Sequence, residues 1–455
     1  MNKILLLFAF TLLFTLSAFS QDFTGFTTNA YAGVNSLEVN PANVVGTIYK
    51  LDICPAAFSI NQYNNYLGKH PTIPTKWKLP KFAPVDFNTN NAPRTDIYEH
   101  ARYVGPSVLF DIDRFSAFAV TTQARSAMLV NNIPANLGQS FNAADTLAKQ
   151  PTTGNATDLK VNFASWTEFG GTYGRLSYFN GGHRIKYAAR VKYLGGLAAL
   201  AADISSLDYS TTNADTNNVT ITDATALYAH TPTMKMGKFK FQGSGFGLDL
   251  GIKYSFYNNV VFGISVMDIG SIKYKKLAPS GQVKVDNSFN VGNNYGSVAE
   301  FDESLEKNTT NTPSVSEVIA QMPTALSFNF TAFLWKNGVY EGGGYHNFYV
   351  SLLAYQYLKN TNPNADIHVS APSSYTLTVG FNSFSTNYAL PLTINEFGDV
   401  SLGGMARLGP FIIGSKNVLS SLWQKEVHTT EVYFGLKIPF IKPKPTIVQG
   451  CPKRF

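Results

Sequence analysis

A strict two-residue alternation, sustained for longer than a soluble strand needs, most constrains what this chain can fold into. In GFGLDLGIKYSFYNNVVFGISV, Gly245 to Val266, the even positions Phe246, Leu248, Leu250, Ile252, Tyr254 and Phe256 are all apolar or aromatic. The odd positions Gly245, Gly247, Asp249, Gly251, Lys253 and Ser255 are small or charged. After Tyr257-Asn258-Asn259 the pattern resumes with Val260, Phe262, Ile264 and Val266. Successive side chains of a strand point to opposite faces, so this is a ribbon with one wholly apolar face. Such a face needs either a soluble core or lipid.

The pattern recurs along the chain. Ile185, Tyr187, Ala189, Val191 and Tyr193 alternate with Arg184, Lys186, Ala188, Arg190 and Lys192. Tyr375, Leu377, Val379 and Phe381 share a face, as do Tyr388, Leu390, Leu392 and Ile394. The last strong segment sets Val432, Phe434, Leu436, Ile438 and Phe440 against Glu431, Tyr433, Gly435, Lys437 and Pro439. About ten residues at period two is the length a tilted strand needs to cross a hydrocarbon layer. Soluble strands average about half of that.

Composition separates the two environments. Charged residues make up 14% of the 455, beside 34 Phe, 24 Tyr and 36 Gly. That balance suits an outer face in lipid with aromatic rims. MNKILLLFAFTLLFTLSAFSQD reads as a secretory signal peptide over 1–20 with cleavage after Ser20. No later apolar stretch reaches the length of a membrane-spanning helix. The net charge of +7 is spread along the chain and points to no nucleic-acid partner.

The expectation is therefore an all-β protein: a closed antiparallel transmembrane β-barrel of about 14 strands (12–16), located in a bacterial outer membrane and contacting its lipid. Residues 21–46 are expected as a Gly-rich N-terminal segment in or under the lumen, 47–440 as the barrel and 441–455 as a periplasmic tail. Strands are read near 47–60, 102–112, 115–131, 162–179, 184–207, 219–230, 238–256, 260–276, 323–334, 346–358, 373–382, 387–396, 399–413 and 430–440. Without the weakly patterned 219–230 the count is odd, and an even count is expected. In this partition the long segment 277–322 falls on the periplasmic side. Ser314 to Met322 reads as a short capped helix.

Charges on a lipid face would cost about 2–4 kcal/mol each near the midplane, so the charged positions should point inward. Glu168, Arg184, Lys186, Arg190, Lys192, Asp249 and Lys253 are the lumen-facing candidates. Two readings stand: a satisfied internal charge network, or a basic lining that selects anionic solutes. The seven histidines (His70, His100, His183, His230, His346, His368 and His428) are scattered, with no HExxH, GxSxG or spaced Cys/His cluster. The expectation is no enzyme, no metal site and no cofactor. Cys54 lies in the first strand and Cys451 in the tail. A closed barrel pairs its first and last strands, which would let the two bridge near the seam; two separate thiols are the alternative.

The run NAYAGVNSLEVNPANVV, with Asn40-Pro41-Ala42 as a turn before the first strand, resembles the N-terminal signature of barrels related to the FadL long-chain fatty-acid channel and the PorV-type barrels of Bacteroidota. GFGLDLGIKY, LGPFIIGSKNVLSSL (Leu408 to Leu422) and VYFGLKIPF (Val432 to Phe440) resemble domain-of-unknown-function family 5723, an outer-membrane barrel family. That resemblance implies location and fold, since the family has no established activity. By analogy with hydrophobic-compound channels it implies passage or binding of a small solute, hydrophobic or anionic. A structural or docking role with envelope or secretion proteins is the rival, and a soluble secreted β protein a third reading.

Overall fold

The computed structural model describes residues 23–64, 94–134, 152–179, 183–211, 219–232, 240–256, 259–278, 280–285, 289–291, 309–334, 346–358, 362, 364–396, 398–422 and 428–442. The signal segment 1–20 and Cys451 lie outside the described residues, and with Cys451 the proposed bridge to Cys54. Fourteen strands close into one antiparallel barrel. They are β1 (Tyr49–Cys54 and Ala57–Asn64), β2 (Arg94–Val104 and Ser107–Asp111), β3 (Ser116–Pro134), β4 (Thr152–Ala156 and Leu159–Phe179) and β5 (His183–Thr211). β6 (Val219–His230 and Gly243–Phe256), β7 (Val260–Tyr274, Gly281–Val285 and Phe289–Val291), β8 (Thr309–Pro313, Val318–Gln321 and Ala325–Phe333) and β9 (His346–Tyr357) follow. β10 (Ser374–Ser383), β11 (Thr386–Asn395), β12 (Val400–Leu402 and Gly404–Leu408), β13 (Phe411–Ser415) and β14 (Thr429–Leu436 and Ile438–Ile441) complete the ring. β1 closes on β14, with Leu51 opposite Phe440 and Phe58 opposite Phe434.

The expected number of strands is met by a different partition of the chain. Segments 219–230 and 238–256, read as two strands, both lie along β5: Leu200–Thr211 pairs with the first and His183–Gly196 with the second. They are one interrupted wall strand. Segment 399–413, read as one strand, turns back at Gly409-Pro410, where Gly409 takes φ +58° and Leu408 faces Phe411. In the new partition β7 runs from Val260 to Val291 away from the end that carries the tight joints at 112–115, 384–385 and 409–410, so the expected periplasmic placement of 277–322 beside those joints is not kept. The expected helix at Ser314–Met322 does not form: Val318–Gln321 is strand instead, paired to Ser271–Tyr274. Four ladder bonds outweigh the local capping signal there.

The outer face is apolar, as the alternation requires. Phe246, Ile252 and Ile264 are exposed by 71%, 58% and 56%, while Asp249 between them is wholly buried. Tyr375, Leu377, Val379, Leu390, Val432, Phe434 and Phe440 are likewise exposed. No helix of the described residues is long and apolar enough to cross a membrane; the strands carry the apolar surface. The wall is uneven in height. β5 runs for 29 residues, about 95 Å along the strand, whereas β10 and β11 have 10 each. Above the apolar band the tall side carries surface ion pairs such as Lys160–Asp203 and a small core around Val130, Val161, Leu200 and Tyr209.

Candidate functional site

Residues 23–46 lie within the ring, because they reach strands on opposite sides of it. The Thr24 amide donates to Glu431 of β14 at 3.2 Å and Asn29 Nδ2 to Asn382 of β10 at 2.5 Å. The Val34 amide donates to Asp52 of β1 at 2.7 Å, and Ser265 of β7 donates to the Val39 carbonyl at 2.6 Å. Two short 3-10 turns, Gly33–Glu38 and Pro41–Val44, give the segment its shape. Gly33 has φ +58°, and a Cβ there would run into the Asp52 carboxylate and Lys437. Asn40 caps the second turn through Oδ1, which accepts from the Ala42 amide at 2.9 Å, with Pro41 at the first helical position. Its Nδ2 donates to the carbonyls of Ile252 and Ile264 at 3.3 and 3.2 Å. Gly251 permits that approach, since a Cβ there would meet Asn40 and Pro41. The sequence motif Asn40-Pro41-Ala42 thus fastens the segment to the β6–β7 hairpin. Phe23, Phe26, Val34, Leu37 and Val44 pack on small inward residues of the wall, among them Ala57, Ala117, Ala119 and Ala389.

Eight charged side chains join into one buried network above this packing. Arg102 and Arg190 each hold one oxygen of Glu38, at 2.8 and 2.6 Å. Arg190 also pairs with Asp249. Lys192 lies 2.9 Å from Asp249, pairs with Asp268, and lies 3.6 Å from Glu168. Arg125 bridges Glu168 at 2.9 Å and Asp268 at 2.7 Å, with its guanidinium 5.0 Å over the Trp166 ring. Trp166 Nε1 and Gln123 Nε2 each donate to Glu168 at 2.7 Å. Four cations (Arg102, Arg125, Arg190, Lys192) meet four carboxylates (Glu38, Glu168, Asp249, Asp268), so the network is neutral as a whole. Burial alone would raise the Glu38 carboxyl, but the guanidinium groups of Arg190 and Arg102 outweigh it and hold Glu38 below its ordinary value.

Of the residues singled out in the sequence, Glu168, Arg190, Lys192 and Asp249 come together in this network. Lys186 and Lys253 stand directly opposite each other across β5 and β6, and Lys253 Nζ donates to Asn43 at 2.7 Å. Arg184 is half-buried near the start of β5, opposite Ser255 and Tyr178. Cys54 is buried in β1. Asp268 escapes alternation for a physical reason. Even positions of β7 point outward up to Val266, but a bulge then sets Leu248 opposite Ile269 and Leu250 opposite Val266. Asp268 takes φ +55°, donates its amide to Asp249 at 2.6 Å and turns inward. Arg102 and Arg125 carry no local mark, and Glu38 sits in a stretch with no alternation.

Two polar crevices flank the N-terminal segment. One, about 50 Å³, lies toward the end with the tight joints and is lined by Lys186, Lys253, Asn43, Asn329 and Thr331. The other, about 30 Å³, lies toward the opposite end beside Glu38, Arg102, Tyr355, Tyr357 and Thr376. Both touch Thr27, Thr28 and Val39, which stand between them.

Among solved structures, the chain is similar to the TodX deltaS2S3 mutant monoaromatic hydrocarbon channel, at 7% identity and a TM-score of 0.39 over 90% of this chain and 94% of that one. It is also similar to the CymD monoaromatic hydrocarbon channel, at 8% identity and 0.35 over 93% and 100%. A FadL homologue from Pseudomonas aeruginosa gives 9% identity and 0.36 over 92% and 95%. A comparison with curated proteins found no match. A family model matches residues 41–415, from the Asn40-capped turn through β13, and the chain belongs to that family, the family of unknown function DUF5723.

Proposed function

We propose that this protein is an outer-membrane barrel that binds and passes a small anionic solute, with residues 23–46 closing the path. The observation that carries this reading is the pair of crevices on either side of the N-terminal segment. Lys186 and Lys253 line one, Arg102 with its partner Glu38 lines the other, and Thr27, Thr28 and Val39 of the N-terminal segment separate them. Two lysines directly opposite on neighbouring strands repel each other unless an anion or an acceptor lies between. Polar linings on both sides favour a polar solute over a hydrophobic one. The exposed apolar outer face supports placement in a membrane. In planar bilayers with a KCl gradient, the full chain is expected to give a reversal potential of anion-selective sign. In the double variant Lys186→Gln, Lys253→Gln that potential should move toward zero. A potential indifferent to the double substitution, or bilayers that stay silent with both proteins, would sink the proposal.

A second reading, docking of an envelope or secretion partner, is favoured by the tall sheet of β3–β8, whose own small core continues beyond the apolar band. Silent bilayers together with partner capture that is lost when 199–230 are shortened would support it.

A further inference from the structure

We infer that the crevice beside Lys186 and Lys253 is a site for inorganic phosphate, held by the two ammonium groups and recognised through its own O–H group at Asn329. The inference deepens the reading above: it rests on that crevice taking an anion and says which one.

Most polar side chains on this crevice are engaged within the protein. Ser36 Oγ donates to the Gly33 carbonyl at 2.6 Å, and Thr47 Oγ1 to that of Tyr49 at 3.2 Å. Thr331 shares a bond with Ser351 at 3.0 Å. Asn43 Nδ2 donates to the Ser36 carbonyl at 2.8 Å, which turns its Oδ1 toward Lys253 Nζ at 2.7 Å and positions that lysine. Lys186, opposite Lys253, lies against Gly46, where a Cβ would stand 3.1 Å from its Nζ. Two lining residues behave differently. Asn329 of β8 is 6% exposed, and its buried Oδ1 has no hydrogen-bond partner among the described residues. The buried Oγ1 of Thr28 has none either. Gly263, directly opposite Asn329, makes room for that amide, since a Cβ there would run into Oδ1. A buried acceptor left unpaired is costly, and such atoms mark where a ligand group belongs.

The donors and acceptors decide the anion. The lysines and the Thr28 hydroxyl can donate, whereas the Asn329 amide oxygen only accepts. Chloride, sulfate and an ionised carboxylate offer acceptors alone and would leave Oδ1 unpaired. Near neutral pH inorganic phosphate offers both, oxygens for the lysines and Thr28 and an O–H for Asn329. A phosphodiester, as in a lipid head group, has no such O–H. Size agrees. At about 50 Å³ the crevice has room for about four waters, and phosphate presents its oxygens in that space.

The test is isothermal titration of the full chain in detergent micelles near neutral pH, with phosphate, sulfate and dimethyl phosphate as probes. Phosphate should bind about tenfold more tightly than sulfate, although sulfate carries the fuller charge, and dimethyl phosphate should bind no better than sulfate. Asn329→Leu keeps the volume and removes the acceptor. It should bring phosphate down to the level of sulfate and leave sulfate unchanged, a split that a structural loss alone would not give. Lys186→Gln with Lys253→Gln should weaken both anions. Sulfate binding as tightly as phosphate to the unsubstituted chain would overturn the inference, whether or not the Asn329 variant folds. So would a phosphate preference that survives Asn329→Leu, or dimethyl phosphate binding as tightly as phosphate, which would assign the crevice to a lipid head group. Equal binding of phosphate and sulfate that is lost in the lysine double variant removes phosphate and keeps the anionic reading. A phosphate preference with silent bilayers keeps the site and removes passage.

Discussion

The two halves of the lumen satisfy their buried polar groups by different chemistry. On β2–β7 the inner face carries Arg102, Arg125, Glu168, Arg190, Lys192, Asp249 and Asp268, with ion pairs linking β3 to β4 and β7, and β5 to β4, β6 and β7. On β8–β11 it carries hydroxyls and amides that bond across one boundary at a time. Thr331 meets Ser351 at 3.0 Å and Thr376 meets Thr393 at 3.0 Å, while Asn382 donates to Asn347 at 3.1 Å. The charge of Arg407 on β12 is met by neutral acceptors, the carbonyls of Ser383, Phe384 and Gly409 and the Asn387 side chain. The neutral half makes these bonds within the wall, and Asn382 also accepts from Asn29 of the segment. In the charged half the N-terminal segment supplies a carboxylate, Glu38, to Arg102 and Arg190. The segment is therefore coupled electrostatically to one side of the barrel and by ordinary hydrogen bonds to the other.

The sharpest way to break this comparison is Arg190→Met. It leaves Asp249 and Glu38 buried beside an apolar stem, and a loss of about 3–5 kcal/mol is expected in urea unfolding from lipid vesicles. A loss under about 1 kcal/mol would put the two halves on the same footing. The next effect is a pH dependence. The folded-state carboxyl of Glu38 lies below its ordinary value of 4.5. A depressed carboxyl contributes stability that is present above the ordinary value and lost as pH falls through the lowered one. The stability difference between the unsubstituted chain and Glu38→Gln, of order 1–3 kcal/mol, should hold constant above about pH 5 and shrink in more acidic solution. Parallel unfolding midpoints for the two proteins from pH 7 to pH 3 would contradict the coupling. The smallest effect is expected in the neutral half. Thr393→Val removes the bond to Thr376 and should cost about 1 kcal/mol, with the bilayer reversal potential unchanged. A shift of that potential would mean that the hydroxyl half also contacts the solute.

Much of the wall was legible because alternation is a local property. Ile252 and Ile264 point outward, and Asp249 and Lys192 inward, as their parity in the chain requires. Parity fails where the backbone inserts an extra residue. The bulge at Asp268 reverses β7, so that Ile269 faces out while Ile272 and Tyr274 are buried. Strand boundaries failed in the same way. The sequence reading places a boundary between 219–230 and 238–256, and places Leu408-Gly409-Pro410 inside the single strand 399–413. Whether such a break reverses the chain depends on which neighbour offers unpaired backbone groups. β5 offers them along its whole length, so β6 continues past its interruption.

The sequence by itself determined a wall of alternating strands, its apolar outer face and its charged inner positions, because each follows from residues within a few positions of one another. The tertiary structure alone decided which charges meet. Glu38 reaches Arg102 and Arg190 across 64 and 152 residues of chain, and such pairings exist only once the barrel has closed and brought distant strands around one segment. The physical reason is range. Side-chain direction is set by neighbouring peptide units, whereas the neutrality of a buried cluster is set by every charge the fold gathers into it.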